Sequence, residues 1–389
     1  MAIELPVIST TGFKIGEVSA IAGAVAPAPP ALGPLAAFTG SFSGNGFNTI
    51  FRPDSLKTPT PFPVAPTDGV TDNVLELNLT SETLSFSDSL GSVPNRGTGA
   101  QADIVLNGVP YLQAINDITA GAPGTPIHLE PGLWMIIPST TIPAINETTL
   151  ARMASIPHGT TFVAQGTSSV IAGAPAIPAV DITPFATVGG GKIPFQSQIA
   201  ANQTTHRIPQ NLTGVAITQA MLTDPNTFIR QLLVGQKITS TTVISVATQP
   251  VPTPPLFGDG DPINSTSDGG SANIAFLLGD NNTPPHNPNA QNLRMTATFW
   301  IETVQTTIHV PAIKAGGPAV SIKGTPTTPG QPVPTFLVTS KHGTAAKAVV
   351  ATYTQIQYSQ SVFLNFNTLT WPHVSVATLV PTADVPVAV

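Results

Sequence analysis

Over much of the chain, apolar and polar residues alternate every second position in short runs that turn residues interrupt. From about residue 36 to 166 these runs are LAAFTGSFSGNGFNTIFRP, DNVLELNLTSETLSFS, IVLNGVPYLQAIND, IHLEPGLWMIIPST and LARMASIPHGTTFVAQGT. They are rich in β-branched and aromatic residues and almost devoid of 3.6-residue periodicity, so each predicts a strand and the set predicts an antiparallel meander. Such a meander closes most economically into a barrel or a sandwich. Strands resume with RMTATFWIETVQTTIHV, PTFLVTS, AVVATYTQIQYSQSVFLNF and NTLTWPHVSVATLVP. Between about 167 and 292 the pattern fades into Pro-rich and polar stretches. One helix is expected there: Asp224 caps, Pro225 suits the first helical position, TFIRQLLVGQ follows, and Gly235 stands near the stop. The two strand-rich blocks show no internal repeat. The expected organisation is an all-β chain with a Pro/Ala-rich arm over 1–34 and the first part of an antiparallel barrel over 35–166. An inserted subdomain over 167–292 and the rest of the barrel over 293–389 complete it.

Composition narrows the chemistry. With 389 residues the chain can bury a substantial core, and with 9% charged residues and a net charge of −6 it offers no basic footprint for nucleic acid or an anionic membrane. Cysteine is absent, which removes disulfides, thiolate metal sites and cysteine nucleophiles together. No apolar run reaches the roughly 18 residues of a spanning helix, and the first residues lack a signal-peptide core, so a cytoplasmic protein is the expectation.

The common catalytic motifs are missing. There is no G-x-S-x-G and no H-E-x-x-H, and the glycines at 189–191 run into Lys192-Ile193-Pro194, which cannot serve a phosphate loop. Asp259, Asp261 and Asp268 lack the spacing and closing Glu of a calcium loop. Histidines remain, and His128, His158 and His373 sit in strand-like stretches beside aromatic or sulfur-containing residues. A neutral imidazole there has a lone pair for a metal; the alternative is a histidine satisfied at a core edge or facing water.

Several segments, in order, resemble the nitrobindins, a family of small calycin-like antiparallel β-barrels that hold haem b. Gly40-Ser41-Phe42-Ser43-Gly44-Asn45-Gly46 matches the family's opening G-x-W-x-G-x-G, with Phe42 in place of Trp. His128, Glu130, Gly132 and, one position on, Trp134 match its H-x-E-x-G-aromatic strand, and Pro372-His373 falls on the closing Pro-His. The resemblance covers about half the chain. It implies iron protoporphyrin IX ligated by His373, with Trp371 on the proximal side, Phe363 where the family usually has Met, and His128 and Ile127 towards the open side. His158 is a further candidate for the pocket, and Arg152 beside Met153, like Arg96, is a candidate for pairing a propionate. The implied chemistry is peroxynitrite isomerisation or peroxidase-type oxidation, with peroxynitrite, nitric oxide or peroxide as ligand. Two other expectations stand beside it: a lipocalin-like carrier of an apolar small molecule, and a structural protein whose insertion makes a homo-oligomer contact. The compact family has nothing like residues 167–292.

Overall fold

The computed structural model describes residues 28–54, 72–121, 123–142, 144–157, 159–187, 189–204, 206–248, 269–273, 290–366 and 369–389. Within them, ten strands close into one antiparallel barrel. They are β1 (Gly40–Asp54), β2 (Asp72–Phe86), β3 (Ile104–Asp117), β4 (Thr125–Ile137), β5 (Thr149–Ser155), β6 (Thr160–Ala172), β7 (Lys237–Ala247), β8 (Gln291–Val310), β9 (Lys347–Phe366) and β10 (Leu369–Pro381). Each pairs with the next in sequence, and β10 returns to β1, with Ala377 opposite Gly46. Closure leaves no bare edge in the barrel wall, which a ten-strand sheet of this length would otherwise expose.

Alternation sets the two faces of the wall. Inward go Phe42, Leu84, Val109, Tyr111, Trp134, Phe162, Ile244, Phe299, Tyr358, Ala377 and Leu379, all in one buried cluster. A 3₁₀ turn at Gly33–Ala37 stops one end. Its Leu35 is buried, and Phe38 stacks on Phe86 at 4.6 Å and meets Trp134 at 5.6 Å, so this end of the barrel is sealed by aromatic packing.

The outer face is apolar too where the insertion lies over it. Phe47, Phe51, Leu75, Leu77, Val374 and Val376 point away from the barrel axis and pack under Ile177, Ile182, Leu212, Met221, Leu222 and Ile229. Two helices, α1 (Gln219–Thr223) and α2 (Asn226–Leu233), carry part of that cover. The helix expected after Pro225 is present as α2: the Asp224 carboxylate accepts the Asn226 N–H at 3.0 Å and pairs with Arg230, and Gly235 follows the last turn. The short α1, which starts on the Thr218 hydroxyl, had no clear signal. Arg207 ties the rest of the cover together. It is fully buried, and its guanidinium donates to the carbonyls of Ser197, Ile199, Ala200, Asn202 and Gln210 at 2.9 to 3.3 Å.

The expected boundaries at 167 and 292 move. Strand β6 runs to Ala172, and β7, at Lys237–Ala247, is a barrel strand inside the range assigned to the insertion. The reason is visible in its residues: KITSTTVISVA is as regularly β-branched as any other wall strand. A separate three-stranded sheet, Val320–Lys323, Thr335–Thr339 and Val385–Ala388, packs Phe336 and Val338 on the outer wall beside Val304, Ile308 and Tyr353. No helix among the described residues is long and apolar enough to cross a membrane.

Candidate functional site

The inward face of the wall is not uniformly apolar. On β4, Glu130 is fully buried, and on β5 so is Arg152, whose Nη2 donates to Glu130 Oε1 at 2.6 Å. The Tyr111 hydroxyl on β3 also donates to Glu130, while it accepts from Arg152 Nε at 2.8 Å. Arg152 Nη1 reaches across to Gln360 Oε1 on β9 at 2.7 Å. The guanidinium lies 5.1 to 5.6 Å from the ring centres of Phe299, Tyr111, Phe162 and Trp134, a cage in which its charge is attractive but unhydrated. Gly132 makes this possible: a Cβ there would fall 2.4 Å from the Tyr111 ring, so only glycine lets the tyrosine lie across the strand.

Loss of water pushes the Glu130 carboxyl up, but the Arg152 charge and the bonds from His128 and Tyr111 outweigh it and hold the pKa at about 2. Burial works against the Arg152 charge as well, and Glu130 more than restores it. The pair is therefore ionised. A second carboxyl, Glu82 on β2, is buried without a cation of its own. Burial raises its pKa against bonds from Tyr358 at 2.6 Å, Thr80 at 2.8 Å and Gln113 at 3.3 Å. Gly46 leaves the space for it, since a Cβ there would meet Glu82 Oε1 at 2.4 Å.

Beyond these networks, towards the end opposite the stopper, the inward positions turn to amides and hydroxyls. Gln360, Ser375, Asn48 and Asn78 are cross-strand neighbours in one row over β9, β10, β1 and β2. Asn48 is 9% exposed, and its Nδ2 donates to Ser375 Oγ at 2.5 Å while its Oδ1 is buried with no partner. Turning the amide over exchanges the two atoms and still leaves one unpaired.

The histidines can now be placed. His128 is 19% exposed on the side chain, and its Nε2 lies 3.3 Å from Glu130 Oε2, which links the barrel mouth to the buried ion pair. His373 follows Ser375 on the inward face by alternation, but its Nε2 accepts the backbone N–H of Phe51 at 3.0 Å. The imidazole thus takes the place of a ladder acceptor where β1 and β10 part. His158 lies outside the described residues, as do Asp259, Asp261 and Asp268. Trp371 is fully buried, stacked on Phe366 at 4.8 Å and set against Phe51 and Phe195, and its indole N–H donates to the Phe366 carbonyl. It belongs to the packing beneath the insertion. Phe363 packs near Phe185 and under Arg294. Ile127 and Met153 alternate with inward-facing neighbours, and Met153 packs with Leu133 on the outer wall. Arg96 borders a hollow of about 280 Å³ with Thr98, Gln101 and Ile142, beside the start of β3, at the stopper end. Of the described residues named from sequence, His128 and Arg152 meet through Glu130, while His373, Trp371, Phe363, Ile127 and Met153 stand outside that network.

Haem does not fit this arrangement. The His373 lone pair at Nε2 is taken by the Phe51 N–H, Trp371 is buried among Phe366, Phe51 and Phe195, and Arg152 with four aromatic side chains occupies the barrel interior where a tetrapyrrole would need a slot. Two hollows, of about 200 and 280 Å³, lie elsewhere, outside the barrel wall and at the stopper end.

His373 does leave a mark on stability. Burial pushes its pKa down to about 4, and the Phe51 N–H needs a lone pair that protonation would remove. The unfolded chain, with an ordinary imidazole near 6.5, takes up the proton first on acidification. The contribution is present above about 6.5 and lost as pH falls to about 4. His373→Gln should lose this component, which urea midpoints across that window read as the difference between the variant and the wild type.

Sequence reasoning missed Glu82, Gln113, Gln360, Tyr111 and Tyr358. Their signal was present as polar residues alternating with apolar ones, yet alternation does not say which set faces in. No family model and no curated protein matches the chain. Among solved structures, the crystal structure of Rv2717c from M. tuberculosis is similar at a TM-score of 0.33 and 10% identity, over 91% of this chain and 98% of that one, a likeness too slight to carry any argument.

Proposed function

We propose that this chain is a small-ligand-binding barrel whose site is the row Gln360, Ser375, Asn48 and Asn78 at the end opposite the aromatic stopper. The observation that carries this reading is the Asn48 amide, nine-tenths buried with one polar atom unpaired. A buried amide atom without a partner costs on the order of 1–3 kcal/mol, and a ligand N–H or O–H at that point would recover it. The row offers donors and acceptors but no unpaired charge, since Arg152 and Glu130 satisfy each other directly beneath it. The ligand is therefore neutral and polar. It is also small, because the network below fills the barrel and leaves the ligand to rest on top of it.

The test is a thermal-shift panel on the full chain with nicotinamide, acetamide and glycerol beside oleate and hemin. A neutral polar compound should raise the melting temperature of the wild type, and the shift should vanish in Asn48→Leu. A shift given only by oleate, or a hemin Soret band abolished by His373→Ala, overturns the reading.

A further inference from the structure

A second hollow lies outside the barrel. It holds about 200 Å³ between the outer wall of β8 and β9, the segment joining α2 to β7, and the loop that joins the first two strands of the three-stranded sheet. The residues that matter on its walls are Gln236, Gln305, Thr307, Thr325, Gln331 and Tyr353. At roughly 30 Å³ per water, it has room for on the order of six waters, or for one compact ring-shaped molecule that displaces them.

The walls are built, not incidental. Gln331 Oε1 accepts the Thr327 N–H at 2.5 Å and its hydroxyl at 3.0 Å, and Thr327 Oγ1 donates to the Val234 carbonyl at 2.7 Å. That clamp fixes the loop, and with it Gln331 on the hollow's wall, against the chain leaving α2. On the opposite wall, Gln236 and Gln355 exchange two hydrogen bonds of 3.0 Å, and Gln355 Nε2 donates to Glu302 Oε2 at 2.6 Å. The carboxyl behind them thereby sets which way both amides face.

Tyr353 supplies the observation that points to a ligand. It is 7% exposed, it lines the hollow, its ring is held edge-on by Phe336 at 6.1 Å, and its hydroxyl makes no hydrogen bond to protein among the described residues. Burial and the neighbouring Glu302 raise its pKa to about 12, so it is a neutral hydroxyl that can both donate and accept.

We infer that this hollow is a binding site for a single uncharged, hydroxyl-rich ring of hexose size. Its groups are hydroxyls and amides in every direction, which match a molecule that carries donors and acceptors around a compact ring. Among the described residues the one cation at the rim, Lys237, is exposed and hydrated, and Glu302 behind the wall disfavours an anion. This site is separate from the row at the barrel mouth and does not depend on it.

Saturation-transfer NMR with D-glucose, D-galactose and D-mannose on the full chain tests the inference. At least one hexose should receive saturation from the wild type. Tyr353→Phe keeps the ring and removes the hydroxyl, and should weaken that binding about tenfold, as one hydrogen bond is worth. Thr307→Trp, at an exposed rim position, should block it, with circular dichroism confirming the fold. Asn48→Leu should leave it unchanged. No transfer to any of the three sugars, or transfer equal to wild type in both cleft variants, overturns the proposal.

Discussion

Arg152→Met should lower stability by about 3–5 kcal/mol, the cost of stripping one partner from a buried ion pair. The side chain has nearly the same volume, so the loss comes from what is left behind. Glu130 remains fully buried with its carboxyl held at about 2 only by that guanidinium and two weaker partners, and Gln360 loses its donor. In the variant the Glu130 pKa must climb, and stability becomes dependent on pH where the wild type is flat. Arg152→Lys should fall between the two: the charge survives, but an ammonium cannot reach Tyr111, Glu130 and Gln360 from one plane. A double-mutant cycle in urea separates pairing from packing. If Arg152→Met with Glu130→Gln costs much less than the two single changes added, the ion pair is the source. If the costs simply add, the guanidinium matters as filling among the four rings.

This network also marks the limit of what the sequence discloses. Strand identity was legible throughout β1 to β6 and β8 to β10, because alternation needs only the local order of residues. Facing was not. In LELNLTSETLSFS the ordinary reading turns Leu75, Leu77 and Leu79 inward, yet these lie on the outer face, and Thr80 and Glu82 line the barrel. The inversion has a physical cause: the insertion supplies a second apolar layer outside β1, β2 and β10, so both faces of those strands are buried and the polar set is free to face the interior. Nothing local to β2 records that cover. The helix after Asp224 was legible because cap, proline and glycine all sit within a dozen residues, whereas β7 was hidden by the weak pattern of its surroundings.

Pro372-His373 illustrates the same limit for the site. The dipeptide does enter a wall strand and the imbalance of a missing N–H is real, but the imidazole compensates the neighbouring strand by accepting from Phe51. A sequence pattern fixes the position of a lone pair and not the atom that claims it. Arg152 makes the converse case. As one arginine beside a methionine it was a candidate for pairing a propionate, and only the closure of ten strands brings Glu130, Tyr111 and Gln360 around it.

Glu302→Gln should raise stability by up to about 4 kcal/mol at pH 8 and change it little below pH 4.5. Glu302 is 1% exposed, and among the described residues its carboxylate accepts from Gln355 alone, with the other oxygen buried and unpartnered. Burial pushes its pKa up to about 8 from the ordinary 4.5. Between those values the unfolded chain has released the proton and the folded chain has not, so the folded state binds more protons and stability falls as pH rises, by about 1.4 kcal/mol per unit. Glutamine keeps the acceptor for Gln355 and abolishes the titration. His373 acts with the opposite sign between about 4 and 6.5, so the wild-type curve should be nearly level there and fall only from 6.5 to 8. Urea midpoints across pH 4 to 8 resolve the two: Glu302→Gln should leave a curve that rises to 6.5 and then stays flat, and His373→Gln one that falls from 4.5 onward. Parallel curves for wild type and Glu302→Gln would mean that the carboxyl is solvated and ordinary, and that the wall behind Tyr353 is open to water.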